Sequence, residues 1–329
     1  MHFPDISLVL IFTAIKTNAQ DPPAIPGNEQ LLTTNNNGRQ PAQLSSNSGL
    51  GGGGGGGIGG SGSQIPFQFG TPAQALPQAE YITGQHDCGG QKYDRGMQCN
   101  DQGNTGPENA VFVIAPGGSL SNCVIGPNQV EGVHCEGECL LQNVWFEDVC
   151  EDAITFRQQQ GTSYVVGGGA FNAVDKIMNH NGGGTLVVQN FYCEQFGKIV
   201  RSCSDCENMS PRFIILQNVW AVGGLELVGL NAGSGDQAQI IESCAQGVDR
   251  VCSSYQGGGG GGGLGSGGMG GGGVGAGVQE GLGGGSGTQF PGTGIDGDGL
   301  SVGDPAIQGS GPSQQCQYTQ ADVQNCPPF

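Results

Sequence analysis

The sequence predicts an all-β protein: a right-handed single-stranded parallel β-helix with disordered glycine-rich flanks. Three observations lead there. Four short stretches share one template, Leu120-Ser-Asn122-Cys-Val, Leu141-Gln-Asn143-Val-Trp, Val188-Gln-Asn190-Phe-Tyr and Leu216-Gln-Asn218-Val-Trp, with their asparagines 21, 47 and 28 residues apart. The runs between Gly and Asn are short, β-rich and free of helical periodicity. The 67 glycines gather largely in two tracts that flank a stretch of ordinary composition.

A repeat of 21 to 24 residues with Gly and Asn at its corners fits one coil of a β-helix. The step of 47 then spans two coils, with the missing corner near Tyr164-Val-Val-Gly167, and the step of 28 is one coil with an extra loop at Ser202–Cys206. Leucine-rich repeats share the period, but their Leu-x-x-Leu-x-Leu consensus is absent. Asparagines stacked at equivalent corners can bond amide to amide, which gives the repeated Asn a physical reason.

Taken along the chain, residues 1–19 read as a signal peptide. The apolar run 6–15 is too short to cross a bilayer, and Thr17 and Ala19 suit a cleavage site. Residues 20–78, with seven successive glycines from Gly51 to Gly57, read as a flexible linker. Residues 79–256 are the β-helix domain. Residues 257–329 are a glycine-rich tail whose Cys316 and Cys326 could close a small loop. Thirteen cysteines, 11 of them from Cys88 to Cys252, suit an oxidising, extracellular compartment, and the odd count leaves at least one thiol unpaired or intermolecular.

Acids outnumber bases 28 to 10, giving a net charge of −18. Such a field argues against a nucleic-acid partner, and no later segment is apolar enough for a membrane span. A monomer is expected. Any anionic partner must be held by a local group of bases or by metal.

The repeat converts spacing into position, because parallel strands in adjacent coils lie about 4.8 Å apart. Glu131 and Asp152 are 21 apart, Asp152 and Lys176 are 24, Lys176 and Lys198 are 22, and Arg201 follows three later. All five are expected in one vertical column, acids on two coils and bases on the next two. A carboxylate ladder, enlarged by Glu147-Asp148-Val-Cys-Glu151-Asp152, suits Ca²⁺ and its oxygen ligands.

Gly132-Val-His-Cys135-Glu, Asn143-Val-Trp-Phe-Glu-Asp-Val-Cys-Glu-Asp-Ala153, Asp175-Lys176, His180-Asn-Gly-Gly-Gly184 and Phe196-Gly-Lys198-Ile-Val-Arg201-Ser-Cys203 resemble the secreted pectate lyases of polysaccharide lyase family 3. The resemblance runs from about Tyr93 to Cys244, with the motifs in the family's order. It implies a right-handed parallel β-helix that cleaves de-esterified polygalacturonate (pectate) by Ca²⁺-dependent β-elimination, yielding unsaturated oligogalacturonides. Glu131 departs from the family, where many relatives carry Asp.

On this reading Glu131, Asp148, Glu151, Asp152 and Asp175 are candidate calcium ligands. Lys176 is the candidate base, its pKa lowered by Lys198, Arg201 and Ca²⁺. Arg201 is the rival base, since other pectate lyases are thought to use an arginine. Lys198 and Arg201 otherwise hold the substrate carboxylate, Arg201 by a bidentate fork. Glu108 occupies the family's position for a proton donor to the leaving oxygen.

Each feature has a plainer reading. Asp152 and Glu151 could form a solvated acidic turn, and Lys176 with Asp175 a local surface pair. His134 and His180 read as structural, Cys203 and Cys206 as a disulfide loop, and Trp145, Tyr192 and Trp220 as a stacked aromatic ladder. The competing function is a non-catalytic secreted β-helix that binds pectin or cell wall, which has no need of Lys176, Lys198 and Arg201 on successive coils. A structural glycine-rich protein accounts for the flanks and not for the core.

Overall fold

The structure, a computed structural model, describes residues 65–99, 105–203, 206, 210–255 and 307–327. The signal peptide, most of the N-terminal linker and residues 256–306 lie outside the described residues.

The chain winds into a parallel β-helix walled by three sheets. The first sheet takes Glu80–Ile82, Ala110–Ile114, Glu131–Cys135 and Asp152–Phe156. It continues through the ends of the long strands Thr162–His180, Tyr192–Ser202, Trp220–Asn231 and Ser243–Tyr255. The second runs from Gln85–Asp87 and Ser119–Ser121 through Gly184–Gln189 and Arg212–Gln217 to Gln237–Ile241. The third starts at Gln74–Ala75 and Lys92–Asp94 and includes the beginnings of Tyr192–Ser202, Trp220–Asn231 and Ser243–Tyr255. Among the described residues the helical pieces are two 3₁₀ turns, Pro107–Asn109 and Ala232–Ser234, and no helix is long and apolar enough to cross a membrane.

The corner between the second and third sheets explains the repeat. Asn122, Asn143, Asn190 and Asn218 all have positive φ, from 51° to 56°, where Asn is better tolerated than most residues. Asn143 Nδ2 donates to Asn122 Oδ1 at 2.9 Å, and Asn218 Nδ2 donates to Asn190 Oδ1 at 2.7 Å. The missing corner is Gly167, with φ +68°: Val166 pairs with Gln142 and Gly168 with Val144. The ladder is thus two amide pairs separated by a glycine, and the extra residues of the longer coil fall between Ser202 and Arg212.

Inside, apolar side chains stack coil upon coil, as in Ile154, Met178, Val200 and Val228. Burying such columns against their neighbours supplies the main driving force for a solenoid.

Both ends of the domain extend beyond the expected limits. Phe67 and Phe69 lie on the third sheet, with Phe67 6.1 Å from Trp145 and Phe69 5.0 Å from Phe171. Lys92, its side chain 7% exposed, pins this segment, donating to Gln68 O at 2.9 Å, to Thr71 Oγ1 at 2.7 Å and to Glu147 at 2.6 Å. Trp145, Tyr192 and Trp220 do share one register column, with Gly169 between the first two. A Cβ on Gly169 would come within 2.7 Å of Trp145, whose ring instead leans across to stack on Phe171 at 6.3 Å.

The terminal cysteines do not close a loop on each other. Cys316 bonds to Cys252 and Cys326 to Cys244, while Cys316–Gln317 and Val323–Gln324 add rungs to the second and third sheets. The last coil would otherwise end in open strand edges, and this segment covers them. Cys203 pairs with Cys206, Cys135 with Cys139, Cys88 with Cys123 and Cys99 with Cys150, which leaves buried Cys193 as the thiol outside any disulfide.

Candidate active site

The first sheet carries the polar ladder. Its register aligns Ala110, Glu131, Asp152, Lys176, Lys198, Glu226 and Arg250 on successive strands. Arg201 is not in this column. It stands in a second one, three positions along, with His134, Thr155, Asn179, Gly229 and Ser253.

The two columns nevertheless share a face. Strict alternation would send residues three apart to opposite sides of a strand. Here the two residues between them both enter the core, as Ile177 and Met178, Ile199 and Val200, and Leu227 and Val228 do. Each strand therefore bends, and the polar residues flanking the apolar pair meet outside. Asn179 Nδ2 donates to Asp152 Oδ2 at 2.8 Å, and His134 Nε2 bonds Glu131 Oε2 at 3.1 Å.

Close backbone packing builds the face. Between Ala173 and Lys176 the register shifts, so Val174 and Asp175 bulge opposite Gly197. A Cβ on Gly197 would lie 2.3 Å from the Asp175 carbonyl oxygen, so the bulge that presents Asp175 beside Lys176 needs glycine there. Gly132 serves the same end, since its Cβ would lie 2.3 Å from the Ala153 carbonyl oxygen.

Of the five candidate ligands, three converge. One carboxylate oxygen from each of Glu131, Glu151 and Asp152 lies within 4.8 Å of the other two, and all three residues are buried. Asp148 is exposed and bonds Asn172 instead. Asp175 sits beside the lysines, bonded to Lys176 and 3.5 Å from Lys198 Nζ. Thr105 Oγ1, at 3.0 Å, and His134 hold Glu131 from either side.

The electrostatics of the cluster is that of a cation site. Burial, together with the neighbouring acids, pushes the carboxyl of Glu151 up to about 9, and burial pushes those of Glu131 and Asp152 up to about 7. Lys176 Nζ stands 3.5 Å from Asp152 Oδ1, yet burial and the charges of Glu151 and Asp175 outweigh its effect on Asp152. Glu151 Oε2 and Asp152 Oδ1 are buried and accept no hydrogen bond. Buried carboxylate oxygens without donors are costly unless a cation satisfies them. Three hard oxygen donors at this separation fit Ca²⁺.

Lys176 differs from expectation in one respect. Burial does act to lower its pKa, but Asp152 and Asp175 more than reverse this, and the ammonium is held well above the ordinary lysine range. Lys198 is its neighbour on the next strand and is also buried. Glu108 is exposed on the turn Pro107–Asn109, two residues before Ala110, at the edge of the same face. His134 and His180 are buried with pKa values pushed down to about 4, chiefly by burial, and remain neutral as structural residues.

Comparison with known proteins agrees with this geometry. A family model described as pectate lyase matches residues 63–260. The chain belongs to the pectate lyase family. Members of this enzyme family among its relatives include probable pectate lyase D of Emericella nidulans, 47% identical over 52% of this chain and 66% of that protein. Probable pectate lyase E of Aspergillus flavus is 41% identical over 59% of this chain and 75% of that protein. In fold, the chain resembles a solved pectate lyase from Pectobacterium carotovorum, with a TM-score of 0.55 and 24% identity over 78% of this chain and 73% of that one. It also resembles one from Erwinia chrysanthemi in complex with tetragalacturonic acid, with a TM-score of 0.53 and 23% identity over 76% of this chain and 71% of that one.

Three residues of this family member's ladder, Glu226, Arg250 and Asn179, were not among the candidates drawn from the sequence. Glu226 lies 28 after Lys198, the same long step that separates Asn190 from Asn218, and Arg250 lies 24 further on. His134, Asn179 and Arg201 each follow a column residue by three across two intervening residues. The signal was present in the spacing.

Proposed function

We propose that the chain is a secreted, Ca²⁺-dependent pectate lyase that cleaves de-esterified polygalacturonate by β-elimination, releasing unsaturated oligogalacturonides. One observation carries this reading: three buried carboxylates converge, two of them with an oxygen that accepts no hydrogen bond, and two of the three, Glu131 and Asp152, share a register column with Lys176 and Lys198. A binding surface for an acidic polymer has no use for so much buried acid, whereas a cation site beside bases does.

Glu131, Glu151 and Asp152 would hold Ca²⁺. A cation held there would supply positive charge beside the uronate carboxylate, which would acidify the neighbouring C5–H. Lys176 takes the C5 proton, the C4–C5 double bond forms as the C4–O bond breaks, and the leaving oxygen takes a proton for which Glu108 is the candidate donor. Lys198 and Arg201 stabilise the charge that builds on the C6 carboxylate. Lys176 can act as a base only when Asp152 and Asp175, the acids that hold its proton, are engaged elsewhere; of these Asp152 belongs to the carboxylate cluster. Arg201 remains the rival base, although a guanidinium gives up its proton far less readily.

The test is ultraviolet absorbance of unsaturated product from polygalacturonate, with Ca²⁺ and with chelator. Product that appears only with the metal supports the proposal. Polymer binding without product under both conditions would instead favour a non-catalytic wall-binding β-helix.

A further inference from the structure

Beyond Lys198 the ladder continues into Glu226 and Arg250, which the proposed reaction does not use. Arg201 Nη1 donates to Ser202 O at 2.9 Å and lies 3.4 Å from Gly229 O, which commits one edge of the guanidinium to the backbone. The ring of Tyr255 lies against its face, 4.1 Å from Cζ. Tyr255 is itself fully buried, and its hydroxyl donates to Glu226 Oε2 at 2.7 Å. Glu226 is equally buried, and its other oxygen is 3.4 Å from Arg250 Nε. Glu226 is the next acid in the column, but both its oxygens serve protein groups and it stands outside the carboxylate cluster.

We propose that Tyr255, anchored by Glu226, positions the Arg201 guanidinium for the substrate carboxylate. Tyr255 and Glu226 are thus positioning residues of the site. The inference rests on the reading of Arg201 as a carboxylate ligand.

A bidentate fork discriminates only when its plane is fixed. Backbone oxygens at one edge and an aromatic ring on one face fix that plane, and the stack also favours the cation where water is excluded. The ring needs its own anchor, because a phenol turns about its side-chain bonds unless its hydroxyl is held. Burial, followed by the Glu226 charge, raises the hydroxyl's pKa, so the proton it donates stays in place.

Gly229 shows how closely the group is fitted. It pairs with Arg201 on one side and Ser253 on the other. A Cβ there would lie 2.8 Å from Glu226 Oε2, 2.9 Å from Tyr255 Cε2 and 3.0 Å from Arg201 Cδ. No side chain fits between the three residues, and even a methyl group must displace one of them.

The experiment measures kcat/KM on polygalacturonate with Ca²⁺ for Y255F, Y255L, G229A, R201A and each of the first three combined with R201A, alongside thermal stability. Misplacement of a reacting partner by about 1 Å can cost on the order of 100-fold. Y255L is therefore expected to lose about 100-fold, and Y255F and G229A about 10-fold. In the R201A background the same changes should cost less than about 2-fold, since positioning has nothing left to position. A general structural defect would cost the same in both backgrounds, and that result overturns the inference. Severe loss in R201A with wild-type kinetics in Y255L also overturns it while sparing Arg201 as a ligand. Wild-type kinetics in R201A removes the underlying assignment and the inference with it. If Y255L does not fold, Y255F and G229A decide by the same comparison.

Discussion

Asp152 Oδ1 faces Lys176 Nζ at 3.5 Å across one step of the ladder, and this buried oxygen accepts no hydrogen bond. It therefore has coordination capacity left for a cation. Asp152→Asn should abolish the rise in melting temperature that Ca²⁺ gives the wild type and lower lyase activity at least about 100-fold, as loss of a main electrostatic element does. Retention of the calcium-induced shift in this variant would remove Asp152 from the ligand set.

The cluster also sets a pH dependence. Glu131 and Asp152 near 7 and Glu151 near 9 bind protons more tightly folded than unfolded. Their contribution is full below the ordinary carboxylate range and is lost as pH rises through those values. The buried histidines near 4 act oppositely, weakening the fold below about 6.5, so above that pH the carboxyls act without them. In chelator the melting temperature should fall between about pH 6.5 and 9, and Ca²⁺ should suppress the fall. Each kcal/mol corresponds to about 2–4 °C for a domain of this size. A flat profile in chelator would show that burial in the folded protein does not raise the pKa values of the three carboxyls.

Lys176→Ala should reduce kcat by about 10²- to 10⁴-fold, the usual worth of a general base. The calcium-induced stabilisation should survive, because Lys176 is not a ligand. An active variant would transfer the role of base to Arg201.

The closing disulfides can be read chemically. Cleavage after glutamate in denatured, unreduced protein should give residues 243–280 joined to residues 281–329, separating on reduction, because Cys244 and Cys252 lie on the first fragment and Cys316 and Cys326 on the second. A Cys316–Cys326 loop would leave the fragments separate in mass spectrometry. Cys252→Ser should cost about 2–4 kcal/mol in chemical denaturation.

Lys92 pins the N-terminal segment through an ion pair with buried Glu147. Lys92→Met should destabilise by about 3–5 kcal/mol, since it strands a buried carboxylate, and pairing it with Glu147→Leu should recover much of the loss. Specific activity should persist, because this contact lies on the third sheet. Equal loss in single and double variants would show that Lys92 acts through packing alone.

Much of the fold was legible because a solenoid is nearly one-dimensional. Each coil repeats the last, so the spacing of Asn122, Asn143, Asn190 and Asn218 gave the period, and the charges at matching intervals gave the column from Glu131 to Lys198. Arg201 was misassigned to that column, since it lies three residues along the same strand as Lys198 and so stands in another column; it shares the face only because Ile199 and Val200 both turn inward. The Cys316–Cys326 loop failed for a related reason: nearness in sequence is a poor guide when the chain returns to cover an exposed sheet end.

By itself, the sequence determined the parallel β-helix, its period and which residues recur at equivalent places, since these follow from local pattern and the constant spacing of stacked strands. Tertiary structure alone decided which carboxyls converge, which way each strand bends and that Tyr255 reaches back over Gly229 to Arg201. Those outcomes depend on side-chain direction and burial between coils, which no interval along the chain records.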